Sequence, residues 1–216
     1  MRTVAVWSAI LSYAVLVAVV VGAGSVWPEY DHARNYISEL GATGAPHGRL
    51  VSLWGFIPSG LLLMLFSVAA LVAAPRSLPA VLGFALLFLY AAGLFAAGVY
   101  PCDAGCSRAD PSFAQTMHDL WGAPGYLLAP VMMALLGVAA RKWPGAGHLF
   151  PIGLVAAVAT AAALPLVIGE NEWRGLAQRV LEGAVGTWVL LCALWLARRP
   201  QAAETDLRAN RPPALA

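Results

Sequence analysis

Six long apolar stretches constrain this chain more than anything else in it. They run over residues 4–24, 50–74, 78–100, 120–140, 149–169 and 176–197. A helix needs about 20 predominantly apolar residues to cross the hydrocarbon core of a bilayer, and each stretch supplies them. No water is present there to satisfy backbone N–H and C=O groups, so each segment must satisfy its own as a helix. Composition agrees: 60% of the 216 residues are hydrophobic and 11% are charged, against about 25% charged in a soluble domain. The expected fold class is all-α, a polytopic membrane bundle of six transmembrane helices over residues 1–199. A disordered cytoplasmic tail follows at 200–216, where Pro212 and Pro213 stand together and little is available to bury. The first stretch reads as a retained helix, because it is longer than the roughly 7–15 apolar residues of a leader core. The net charge of +2 gives no basis for a nucleic-acid partner. The lipid bilayer is the partner that composition implies. Oligomeric state is not readable from it.

The connections divide into two alternating sets. The N-terminus, the second and fourth connections and the tail hold eight Lys and Arg; the other three connections and their helix ends hold five. This bias puts the first set in the cytoplasm, so both termini are expected inside a plasma membrane. Nine of the eleven acids fall in the second set, which marks that face as the chemically rich one. Cys102 and Cys106 belong to it, in Pro101-Cys102-Asp103-Ala104-Gly105-Cys106. On an oxidising face they are expected to form a disulfide, with Gly105 allowing the tight closure. Cys192, alone in an apolar run, reads as a packed thiol.

Three polar constellations lie in the rich set. The first is Tyr30-Asp31-His32-Ala33-Arg34-Asn35-Tyr36-Ile37-Ser38-Glu39-Leu40-Gly41. Its spacing predicts a short interfacial helix in the first extracytoplasmic loop, with His32, Asn35 and Glu39 on one face and Asp31 and Ser38 close by. Asp31 would cap its start, and Gly41 would end it in a left-handed turn. A merely wet amphipathic face, anchored by Trp27, Tyr30 and Tyr36, is the plainer alternative. The second runs from Asp103 to Asp119, with His118 above Gly122 and Gly125 at i+4 and i+7; a His satisfied at a helix end is its plain reading. The third is Arg174, Gln178 and Glu182 on one helical stripe, with Arg179 beside them. Glu182 lies two turns into an apolar run, where ionisable groups are costly and mark functional sites; a buried ion pair to Arg174 or Arg179 is the alternative. Topology brings all three connections to one end of the bundle, where they can share a site.

The residues Ile37-Ser38-Glu39-Leu40-Gly41, Pro101-Cys102-Asp103, His118 and Gly175-Leu176-Ala177-Gln178-Arg179 with Glu182 resemble the bacterial and archaeal membrane family called Domain of Unknown Function 998, over roughly residues 5 to 197. The resemblance implies a six-helix integral membrane protein and carries no activity with it.

Function must then come from the residues. An enzyme acting on a lipid or isoprenoid-type substrate would use Asp31, His32, Asn35, Ser38, Glu39, Asp103, His118 and Glu182 as its acid, base and nucleophile candidates. Arg174, Gln178 and Arg179 would bind the substrate. A metal variant would need His32, His118 and a carboxylate such as Asp103, without any His-Glu-x-x-His pattern to support it. The identity of any cofactor is not readable from these residues. A transporter, a small-molecule binding protein and a membrane assembly subunit are the alternatives. Haem ligation would draw on His32, His47, His118 and His148, none of which lies deep in an apolar run.

Overall fold

The computed structural model describes residues 1–169 and 171–198. Glu170 and the expected tail at 200–216 lie outside the described residues. Six helices among those residues are long and apolar enough to span a membrane: α1 (Arg2–Ser25), α2 (Gly48–Ala73), α3 (Leu78–Val99), α4 (Phe113–Ala140), α5 (Leu149–Ile168) and α6 (Arg174–Arg198). No strand occurs among the described residues. Each helix packs on the next in sequence, and α6 packs back on α1. The bundle is therefore closed, with all long connections at one end.

Small residues set the helix crossings, as expected where lipid supplies no hydrophobic drive between helices. A Cβ on Gly153 would stand 2.6 Å from Gly137 Cα, so α4 and α5 meet backbone to backbone there. A Cβ on Gly60 would strike the Phe95 backbone, which locks α2 against α3. Ser12 donates to the Ser59 carbonyl at 2.8 Å, joining α1 to α2. At the short-loop end, Trp143 stacks on Trp195 with ring centroids 4.9 Å apart, and Trp188 is fully buried. Val17, Leu65, Val155 and Val158 point outward as lipid-facing residues would. Cys192 is buried and free, as its apolar surroundings suggested.

Two irregularities shape the loop-rich end. α2 begins with one α turn, then a π turn over Ser52–Phe56, and becomes regular at Ile57. Pro58 explains the register change: its ring clashes with the carbonyl four residues back and it has no N–H to donate. The other irregularity is that α4 starts at Phe113, seven residues before the apolar run. Ser112 caps it by accepting from the Gln115 N–H at 3.1 Å. Its first two turns carry Gln115, Thr116, His118 and Asp119, so the helix projects past the apolar zone. At 28 residues and about 1.5 Å per residue it exceeds the roughly 30 Å hydrocarbon core.

The expected interfacial helix is shorter and tighter than its periodicity implied. Residues 31–35 form turns, and only Ile37–Gly41 is helical, as a 3-10 turn. Asp31 caps no helix: its Oδ1 accepts from the Ala33 N–H at 2.8 Å within a turn, and the residue that caps the 3-10 turn is Tyr36. Asn35 Oδ1 takes the Asp31 N–H at 2.8 Å. Such side-chain bonds offer the backbone an alternative to the helix, and here the alternative wins. Gly41 is not left-handed. It is glycine because a Cβ would lie 2.6 Å from the Phe56 ring; the left-handed residue is Gly44, with φ of 85°.

Candidate functional site

The segment from Tyr30 to Gly41 folds back over the bundle and is clamped to the start of α6. Glu39 is the centre of the clamp and is buried, 4% exposed. Its Oε1 accepts from the Tyr36 N–H at 2.9 Å and from Arg174 at 3.2 Å. Its Oε2 accepts from Asn35 Nδ2 at 2.8 Å. Arg174 also donates to the Arg34 carbonyl at 3.1 Å and lies over the Tyr36 ring, 4.7 Å from its centroid. Arg179 donates to the Asn35 carbonyl at 3.0 Å, to Tyr30 Oη at 2.6 Å and to His32 Nδ1 at 2.9 Å. A guanidinium only donates, so Nδ1 accepts and the imidazole is neutral. Partial desolvation, then the Arg179 charge, hold His32 below the usual histidine range. The Leu176 N–H donates to the Ala33 carbonyl at 2.9 Å. Gly175 permits this approach, since a Cβ there would collide with the Asn35 carbonyl.

Beneath the clamped loop is a cavity of about 490 Å³ reached by all six helices. Leu16, Phe56, Leu94, Ala97, Ala123, Leu127, Val167 and Ile168 give it apolar walls. Its polar groups gather at two levels. The deeper level is a directed chain of hydrogen bonds. The Ile37 N–H donates to Gln178 Oε1; Gln178 Nε2 donates to Tyr126 Oη at 2.8 Å; Tyr126 donates to Glu182 Oε1 at 2.7 Å. Tyr90 lies beside that carboxylate and lines the cavity, yet its hydroxyl has no partner of hydrogen-bonding geometry and is buried. Glu182 has no ion-pair partner among the described residues, so the buried Arg–Glu pair is not formed.

The upper level is the mouth. Ser38, Cys106, Arg108, His118 and Asp119 line it. Arg108 holds Asp119 in a bidentate pair, Nε to Oδ2 at 2.8 Å and Nη2 to Oδ1 at 3.2 Å, which raises the Arg108 pKa further. His118 Nδ1 lies 2.9 Å from the Tyr100 carbonyl. A carbonyl only accepts, so Nδ1 carries the proton and Nε2 is the basic nitrogen. Cys102 and Cys106 are joined by a disulfide with Cα atoms 5.0 Å apart. A disulfide sulfur carries no proton, so the Ser38 hydroxyl is the donor in its 3.3 Å contact with Cys106 Sγ. The Thr43 N–H donates to the Cys102 carbonyl at 2.8 Å, tying the two loops together.

The residues singled out from sequence thus separate into three groups. Ser38, His118, Gln178 and Glu182 reach the cavity. Asn35, Glu39, Arg174 and Arg179 build the clamp above it, and the two arginines are engaged with the loop rather than with the cavity. Asp31 and His32 sit on the outer side of that clamp, and Asp103 Oδ2 accepts from the Ser112 N–H at 2.9 Å, ordering the turn before α4. Tyr30 and Tyr36, expected as interface anchors, are instead clamp members: Tyr30 donates to the Tyr36 carbonyl at 2.9 Å, and Tyr36 to the Val167 carbonyl at 2.6 Å. Three residues of the cavity went unread. Arg108 looked like one loop charge among five. Tyr90 and Tyr126 looked like ordinary aromatics in apolar runs, although a tyrosine hydroxyl in a membrane segment needs a partner. Among the described residues no group of three His, Cys, Asp or Glu side chains is placed to hold a metal ion, so His32, His118 and Asp103 do not converge on one.

Fold and site together define a multi-pass membrane protein with a polar, loop-covered cavity at one end of a six-helix bundle. The family described as "Protein of unknown function (DUF998)" matches residues 10–195, and the chain belongs to it. No curated protein and no solved structure matches the chain.

Proposed function

We propose that this protein binds a lipid-type amphiphile drawn from the membrane. The observation that carries the proposal is the cavity itself: about 490 Å³, apolar along its walls and polar at its floor and mouth. Ligand sites of about 300–1,000 Å³ are built this way, with few polar groups placed to orient the ligand. Leu127 on α4 and Ile168 at the end of α5 both line the cavity and are about half exposed, 53% and 54%. A hydrocarbon chain has a route between these helices into the bilayer. The Lys and Arg bias and the Cys102–Cys106 disulfide support placing the mouth on the extracytoplasmic side of a plasma membrane, with both termini inside.

Ala123 lines the cavity and is exposed to it, so Ala123→Trp fills the space without entering the helix interface. The test extracts and quantifies lipids that co-purify with the full chain. The wild type should retain a defined lipid in a fixed ratio to protein, and A123W should lose most of it. Equal retention by both would refute binding in the cavity.

A second possibility, that the bound molecule is also transformed, is favoured by one feature. His118 turns Nε2, the ring nitrogen not bonded to the Tyr100 carbonyl, to the mouth as a candidate base, with the Arg108–Asp119 pair beside it. Under that extension, His118→Ala would retain the lipid but stop its conversion, which mass spectrometry of the extracted lipid would detect.

A further inference from the structure

The floor of the cavity narrows the ligand's chemistry, given that the cavity binds an amphiphile at all. The hydrogen-bond chain from the Ile37 N–H through Gln178 and Tyr126 runs in one direction and ends on Glu182 Oε1. Every proton in it is assigned, so Oε1 is an occupied acceptor. No hydrogen bond of good geometry from a described residue reaches Glu182 Oε2, although the Tyr90 hydroxyl stands close enough to interact with the carboxylate. That buried hydroxyl lines the same cavity and also lacks a partner of good geometry. The floor therefore presents a carboxylate acceptor and a hydroxyl donor close together at membrane depth; within the protein they can turn only to each other, and a ligand seated between them would satisfy both. Leaving both unpaired in an apolar setting is costly.

A ligand satisfying both must donate one hydrogen bond and accept another at a single small polar group. A hydroxyl does this. A carboxylate or phosphate head would stand against Glu182 with Arg174 and Arg179 both engaged elsewhere. An ester, ether or plain hydrocarbon would leave Oε2 without a donor. We infer that the ligand is a long-chain or isoprenoid alcohol, seated with its hydroxyl between Glu182 and Tyr90 and its chain leaving past Leu127 and Ile168. The inference rests on the cavity being a lipid site and adds the identity of the polar group.

The test measures saturable binding of radiolabelled farnesol to the full chain in nanodiscs, with farnesyl methyl ether and farnesylamine as competitors. The ether has the same chain and no donor. Farnesol is expected to bind at least about tenfold more tightly than the ether, the discrimination of one hydrogen bond to a charged acceptor. Glu182→Gln is expected to erase that preference, because the ligand hydroxyl then loses its charged acceptor. Tyr90→Phe is expected to weaken alcohol and ether alike, since either ligand's oxygen can accept from the Tyr90 hydroxyl, and to leave the preference in place. The alcohol–ether comparison on the wild type needs no substitution, so it carries the test if E182Q does not fold. Ether and alcohol binding equally to the wild type would overturn the hydroxyl assignment and leave the cavity as a lipid site. Amine binding more tightly than alcohol would overturn it in favour of a cation. Absence of saturable farnesol binding would overturn both the assignment and the lipid site.

Discussion

Replacing Glu39 by alanine should release the loop from α6 without unfolding the bundle. The carboxylate receives three hydrogen bonds, from Tyr36, Asn35 and Arg174. Removing one partner of a fully buried ion pair costs about 3–5 kcal/mol, most of it from the charge left behind. Arg174 is 29% exposed by its side chain, so water compensates part of that loss, and about 2–4 kcal/mol is a fair expectation for local opening. At about 1.4 kcal/mol per tenfold, amide protection in the clamp should fall roughly 30- to 1,000-fold. Hydrogen exchange read by mass spectrometry resolves this. The amides of Ile37 and Leu176, which bond Gln178 and Ala33, should exchange faster, while the interior of α3 and α4 should not change. Glu39→Gln keeps an acceptor for Tyr36 and should fall between the two. Unchanged exchange at Ile37 and Leu176 in E39A would refute the clamp, because the loop would then be held without its central carboxylate.

Three further outcomes follow from particular contacts. Gly175→Val should displace the loop as E39A does, because its side chain would occupy the position of the Asn35 carbonyl; limited proteolysis between residues 30 and 41 would report the release. The His32 imidazole should titrate by NMR with a midpoint below the ordinary histidine value, and lowering pH through that window should weaken the clamp. The sign follows because the folded state binds the proton less readily than the unfolded one, so the stability present at neutral pH is lost as His32 charges beside Arg179. Arg108→Ala should shift the unfolding midpoint by less than about 1 kcal/mol in equivalent stability, since the Arg108 side chain is 58% exposed and such pairs contribute little; a large loss would mean that the pair organises the mouth.

The six spans were legible because a membrane segment declares itself by length and apolarity alone, and α1, α3 and α5 end within two residues of the apolar runs. The start of α4 was not, because its first two turns are polar and only the Ser112 cap marks them. The convergence of three connections on one end was legible from topology. Its internal division was not. Arg174 and Arg179 advertise an anion site by charge, yet the geometry spends them on Glu39, on backbone carbonyls and on Tyr30. Asp31 and Asn35 fit a helical period, but their side chains bond their own backbone and turn the chain instead. Tyr90 and Tyr126 carry no signal of their own, since their meaning comes from Glu182 on another helix.

Photo-crosslinking in native membranes tests the proposed lipid site most directly. A diazirine placed on a farnesol-length chain, irradiated with the full-length protein and mapped by peptide sequencing, should mark the segments around Leu94, Leu127 and Ile168. Excess unlabelled farnesol should suppress the marking, and Ala123→Trp should remove it. Labelling confined to outward-facing residues such as Val17, Leu65 and Val155, and indifferent to competitor, would contradict a lipid bound inside the bundle.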